Sequence, residues 1–177
     1  MIQIAEVFHP RDRALWTLIK QCGVTHAVAG FSLQPTTGAN PESQPWSYMP
    51  LLRMKTAYND AGFELDVLET RPPMEKTKLG LPGRDEEIEV VKELIRNMGR
   101  LGIPVWCYEF MPTVTVVRTS TTIPSRGGAT VTGYDHELMK NAPLTEHGHV
   151  PDSQVWDALK YFLEQVVFNL TEVIFPV

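Results

Sequence analysis

Three times in this chain a helix-like segment ends at a glycine and passes straight into a short apolar strand. The stretches are Cys22-Gly23-Val24-Thr25-His26-Ala27-Val28, Ala61-Gly62-Phe63-Glu64-Leu65-Asp66-Val67 and Leu101-Gly102-Ile103-Pro104-Val105-Trp106-Cys107. The glycines lie 39 and 40 residues apart. That is the length of one strand-plus-helix unit, and glycine just past a helix end takes the left-handed cap without a steric penalty. The repetition predicts βα units laid side by side in a parallel sheet. With Ile2 to Val7 as an opening strand, the count reaches four units, the number in half of an eight-stranded barrel.

Length agrees with a half. A complete (β/α)8 barrel takes roughly 250 residues, whereas 177 residues are enough for one domain with its own core. A half barrel leaves two unpaired strand edges, so a homo-oligomer is expected. A net charge of −5 supplies no basic stripe to neutralise phosphates, which argues against nucleic acid as a partner. The chain has no apolar run near the ~20 residues of a membrane span and no leader pattern at its start, so a cytoplasmic, membrane-free protein is expected. Cys22 and Cys107 both adjoin apolar strand residues and are read as buried, reduced thiols.

Helices are expected over Arg11 to Gln21, with Leu15, Leu18 and Ile19 on one face, and over Trp46 to Asp60, with Met49, Leu52 and Ala57 on a helical period. The clearest is Arg84 to Arg100. Acidic Asp85, Glu86, Glu87 and Glu89 crowd its start, Arg96 and Arg100 sit near its end, and Ile88, Val91, Leu94, Ile95 and Met98 form its apolar stripe. Strand four is read as Ile103 to Phe110. The following stretch, 111–151, carries many prolines and glycines and no regular period. It is read as a long loop over the barrel mouth, docked through Tyr134, Leu138, Met139 and Leu144. A last helix starts at Asp152 or Ser153, and 168–177 leave its pattern as a divergent tail, which sets the folded unit at 1–167.

Chemistry in a βα barrel sits on the loops after the strands. The polar residues there are His9, Arg13, Glu69, Arg71, Lys78, Tyr108, Glu109 and Arg118. Glu109, at a strand's C-terminal end, suits a proton acceptor or metal ligand, or an ion pair with Arg71 or Arg118. Arg118 suits a two-pronged clamp on a carboxylate. His136, His147 and His149 lack companion ligands at metal spacing and read as surface residues, and His26 as a satisfied core histidine. Lys78-Leu79-Gly80-Leu81-Pro82-Gly83 does not follow a strand in the manner of a phosphate loop. The residues alone therefore indicate a half barrel with a polar mouth and no defined reaction.

Particular strings carry more. Lys78-Leu79-Gly80-Leu81-Pro82-Gly83-Arg84-Asp85, Ile95-Arg96-Asn97-Met98-Gly99 and Cys107-Tyr108-Glu109-Phe110-Met111-Pro112 resemble strings of the D-mannonate dehydratases in order and spacing. Arg118-Thr119, Val131-Thr132-Gly133-Tyr134-Asp135 and Ala142-Pro143-Leu144-Thr145-Glu146 continue the likeness. The resemblance implies a xylose-isomerase-like TIM barrel that dehydrates D-mannonate to 2-keto-3-deoxy-D-gluconate with Mn²⁺ or Fe²⁺ in hexuronate breakdown. It also implies that the metal ligands, two His, a Cys and an Asp, come from the second half of the barrel, so this chain holds no catalytic group and no metal of its own. Arg118, Tyr108, Glu109, Arg71 and His9 are the substrate-binding candidates. Glu109 stands where the family has asparagine and Val117 where it has tryptophan. The alternatives are a related sugar isomerase or epimerase, with Glu109 as a metal ligand, and a half-barrel fragment without activity.

Overall fold

Where apolar residues alternate along a strand, one face is set to be buried, and here the helices cover that face. The computed structural model describes residues 2–11, 13–113 and 117–174, those at 31–32 and 168–174 by backbone alone. Its elements are β1 (Ala5–Val7), α1 (Arg13–Gln21), β2 (His26–Ser32), α2 (Tyr48–Asp60), β3 (Glu64–Arg71), α3 (Glu75–Leu79), α4 (Arg84–Leu101), β4 (Val105–Cys107), β5 (Ser120–Pro124), β6 (Thr130–Gly133), α5 (His136–Met139) and α6 (Asp152–Ile174). The first four strands form a parallel sheet in the order β1-β2-β3-β4, with helical crossovers between neighbours. The α/β class with a parallel sheet is thus observed.

The sheet contributes Ala27, Ala29, Leu65 and Leu68 to a core shared with Leu51 and Tyr58 of α2 and Leu94, Met98 and Leu101 of α4. A second cluster, Met74, Ile88, Val91, Phe162 and Val166, fastens α6 to α4. Burying a side chain of this size stabilises by about 1.5–3 kcal/mol before entropy is counted. The opposite face of the sheet carries Val7 and Val105, 52% and 47% exposed.

The pairing of β2 with β3 contains an irregularity. His26 lies opposite Glu64 and Ala27 opposite Leu65, but Val28 lies opposite Val67, which leaves Asp66 without a partner across the ladder. Such a bulge shifts the strand's alternation by one. Leu65 and Leu68 are therefore both buried against the helices, and Glu64 and Asp66 fall together on the open face at the strand's N-terminal end.

Several expectations need correction. β1 and β4 are three residues each, shorter than expected, because each has a neighbour on one side alone and pairing ends early. On α2 the buried residues are Leu51 and Tyr58, and Met49 is 46% exposed. The stretch 111–151 is not structureless: β5 and β6 form an antiparallel hairpin and α5 follows. Tyr134, Leu138 and Leu144 are exposed rather than docked. Cys22 and Cys107 are free but exposed, Cys22 past the end of α1 and Cys107 on the open sheet face. The backbone of α6 runs to Ile174, into the stretch read as a tail, whose side chains lie outside the described residues.

Candidate functional site

β3 ends at Arg71, and the chain turns through Pro72 and Pro73 into α3. The link from α3 to α4 is built from two left-handed glycines, Gly80 (φ +67°) closing α3 and Gly83 (φ +89°) opening α4. Only glycine takes these angles without strain. The turn is then tied down from inside. Buried Thr77 donates its backbone N–H (2.8 Å) and its hydroxyl (3.0 Å) to the Glu87 carboxylate, and the hydroxyl also lies 3.2 Å from the Arg84 carbonyl. From outside, Gln154 of α6 donates to the Leu79 carbonyl at 2.7 Å. Tyr161 donates to Asp85 at 2.8 Å and carries the Arg84 guanidinium on its ring. The Lys-Leu-Gly-Leu-Pro-Gly-Arg-Asp string is therefore the sequence of one tightly bonded corner.

That corner presents Lys78 to a cavity of about 640 Å³ at the C-terminal end of β3. Its walls include Arg71, Lys78, Glu75 and Glu87, together with Gln34 from the loop after β2 and Thr145, Glu146 and His147 from the far end of the 111–151 stretch. Burial lowers the Lys78 pKa, and the neighbouring Arg71 charge lowers it further against the opposing pull of Glu75 and Glu87. Arg71 also pairs with Glu109. The side-chain oxygen of Thr145 is buried in this wall and, among the described residues, is the buried side-chain polar atom without a hydrogen-bond partner. Arg71, Lys78 and an unsatisfied hydroxyl face this cavity together with the carboxylates of Glu75, Glu87 and Glu146, a mixed polar lining that suits a small ligand rich in hydroxyl groups.

The expected site residues divide. Arg71 lines the cavity and Glu109 is bound to it, the pairing that the residues allowed. Tyr108 turns to the other side of the chain. Its ring packs at 5.4 Å from Trp106 and 5.8 Å from Phe162, because successive residues of an extended strand face opposite ways. Arg118 sits at the base of the hairpin, bonded to the Thr132 hydroxyl at 3.0 Å, and is not among the cavity walls. His9 is exposed after β1, its carbonyl accepting from the Trp16 indole at 3.3 Å. Lys78 was visible among the polar loop residues. Thr145 and His147 were not seen as site residues, since nothing in local spacing shows that a chain end so distant in sequence returns to β3.

For the Mn²⁺ or Fe²⁺ implied by resemblance, the cavity walls offer Glu75, Glu87, Glu146 and His147, but among the described residues no three of these converge to ligand distance. Among the described residues, the convergent group of His and carboxylate ligands is His26, Glu64 and Asp66, at the other end of the sheet. Nor is any helix among the described residues long and apolar enough to cross a membrane.

Comparison with known proteins agrees with the strings. Mannonate dehydratase of Streptococcus pneumoniae (strain 70585) is 31% identical over 151 residues, covering 72% of this chain and 41% of the relative. That of Thermotoga petrophila is 34% identical over 133 residues, 70% of this chain and 37% of the relative. The chain thus spans about two fifths of the length of the curated relatives it matches. The crystal structure of mannonate dehydratase from Streptococcus suis serotype 2 superposes with a TM-score of 0.79 at 24% identity, over 98% of this chain and 51% of that one, a likeness of fold. The family model of D-mannonate dehydratase (UxuA) matches residues 1–147, and by that match the chain belongs to the mannonate dehydratase family.

Proposed function

We propose that this chain is the N-terminal half of a xylose-isomerase-like TIM barrel whose whole form dehydrates D-mannonate to 2-keto-3-deoxy-D-gluconate, in the cytoplasm and as a homo-oligomer. The reaction removes the C2 proton and the C3 hydroxyl as water, and the resulting enol becomes the 2-keto group. It calls for a base at C2 and an acid at C3, and we assign neither to this segment. The Mn²⁺ or Fe²⁺ of the proposed whole enzyme would be held outside the cavity, whose His and carboxylate walls do not converge on one point among the described residues.

The role left to these residues is to hold the sugar acid. The observation that carries this reading is the conjunction of Arg71, Lys78 and the unpartnered Thr145 hydroxyl in one cavity. A guanidinium and an ammonium match a carboxylate, and the threonine matches a sugar hydroxyl. Glu109 holds Arg71 in place as a positioning residue.

The test joins this chain to the C-terminal part of the Streptococcus pneumoniae relative and follows formation of the keto-deoxy acid. Product from the joined protein, and none above blank from the 177-residue chain alone, is the expected result. In the joined enzyme Lys78→Met and Thr145→Val should raise the Michaelis constant several-fold with a smaller change in kcat. Product from the joined enzyme with unchanged constants in both variants would remove the cavity from the substrate's path.

A further inference from the structure

The N-terminal end of the sheet carries a second chemical group, unrelated to the cavity above. His26 begins β2, Glu64 begins β3 directly opposite it, and the bulge at Asp66 sets that carboxylate on the same face. The imidazole Nε2 lies 3.4 Å from Glu64 Oε2 and 3.5 Å from Asp66 Oδ2, and the three ligand atoms fall within 4.8 Å of one another. These separations decide what the group is suited to. A charge-assisted hydrogen bond between an imidazolium and a carboxylate closes to about 2.7–2.9 Å, so both contacts are too long for one. Donors around a tetrahedral zinc with bonds of about 2.0–2.1 Å stand about 3.3–3.4 Å apart; both contacts lie close to that edge, and the two carboxylate oxygens lie within 4.8 Å of each other.

The remaining contacts of His26 point the same way. Its Nδ1 lies 2.9 Å from the Thr25 hydroxyl, and its Nε2 lies 3.2 Å from the Gln3 side-chain nitrogen. A proton on Nδ1 donated to Thr25, with Nε2 accepting from the Gln3 amide, satisfies both. In that tautomer Nε2 is the unprotonated nitrogen, as a metal ligand must be, and it lies beside two carboxylates, so a cation that displaces the Gln3 amide would meet all three donors. The neighbouring ammonium groups have carbonyl partners of their own, although Lys55 lines the same cavity as the three residues. Lys20 is bound to the Ala61 carbonyl at 2.7 Å, and Lys55 to the carbonyls of Leu101 and Gly102. A cavity of about 570 Å³ opens beside the group, lined by Thr25, His26, Glu64 and Asp66, with room for a water as fourth ligand. Gln3 is exposed near the chain start and can swing aside.

We propose that His26, Glu64 and Asp66 form a binding site for one divalent first-row cation, of the zinc type in its mixed nitrogen and oxygen donors, at the sheet end opposite the substrate cavity. Three protein ligands suit a tetrahedron completed by one water, which ties β2 to β3. The chain stripped with chelator and titrated calorimetrically with Zn²⁺ should bind one equivalent in the micromolar range. Co²⁺ in its place should give the intense visible absorption of tetrahedral coordination. His26→Gln and Asp66→Asn should each weaken binding at least tenfold, while His136→Gln, in the exposed stretch after β6, should leave it unchanged. Glu64 is 78% exposed, so Glu64→Gln cannot disturb the core and tests the site even where another variant misfolds. Absence of a stoichiometric Zn²⁺ site, or binding that Glu64→Gln and His26→Gln leave intact, overturns the proposal and makes the group a set of weakly interacting surface charges.

Discussion

Two regions that share the family's strings behave differently. The corner of α3, α4 and the start of α6 is bonded from several directions: Thr77 to Glu87 and Arg84, Gln154 to Leu79, Tyr161 to Asp85, with Phe162 1% exposed beneath. The hairpin of β5 and β6 is bonded to itself, through its ladder, Arg118 to Thr132, and Asp135 to Thr119. Its Val131 and the following Leu138 are 47% and 71% exposed. The contrast teaches that a matched string implies similar sequence requirements but not a similar source of order. The corner is bonded to residues distant in sequence, and the bonds described for the hairpin run within it.

The sharpest way to break this contrast is at Phe162. Phe162→Ala should cost about 3–5 kcal/mol, from lost burial and the cavity left behind, and should raise amide exchange along α6 first. Equal protection of α6 in wild type and variant would mean that α6 is not held by this cluster. Next comes Thr77→Val, which keeps the shape and removes the hydroxyl's bonds to Glu87 and Arg84. A loss of about 1–3 kcal/mol in urea unfolding is expected, and a neutral outcome would show that the corner does not depend on its internal bonds.

Smaller effects sharpen the comparison further. Gly80→Ala should cost about 1–2 kcal/mol, the penalty for a left-handed residue with a Cβ. The nearest atom to the new methyl group is Ala158 Cβ at 3.9 Å, so packing adds nothing; a much larger loss in thermal unfolding would point to a clash instead. Lys78→Met should stabilise slightly at neutral pH. The folded pKa of Lys78 lies below its unfolded value, so the unfolded chain holds that proton more firmly and the charge opposes folding. Wild type should therefore gain on the variant as pH climbs through the lowered folded value, the gain being complete once pH passes the unfolded lysine value of about 10.4. A variant advantage that is flat across this range would disconnect it from the charge. In the hairpin, Leu138→Ser should change stability by less than about 0.5 kcal/mol. A loss above 1 kcal/mol would place Leu138 in a contact and dissolve the distinction between the regions.

Much of the layout was legible because local chemistry speaks plainly there. Gly23, Gly62 and Gly102 all take the positive φ that a capping glycine implies, and the stripe Ile88, Val91, Leu94 and Met98 is buried as its period demanded. The phase of α2 was not legible. Met49, Leu51, Leu52 and Met54 spread apolar surface around that helix, so periodicity favours no face and contact with the sheet chooses Leu51 and Tyr58. Of the candidate residues, Arg71 and Glu109 come together, whereas strand alternation turns Tyr108 to the other face and the hairpin carries Arg118.

What the sequence determined by itself is whatever depends on neighbours in the chain: the capped helices, the parallel repeat, and the family that the strings identify. Tertiary structure decided every pairing across strands. It brought Thr145 and His147 to Arg71 and Lys78, and through the bulge at Asp66 it set two carboxylates beside His26. The physical reason is that backbone caps and amphipathic periods act within a few residues. A site formed by residues from separate elements depends on register, and a shift of one residue turns each side chain to the other face.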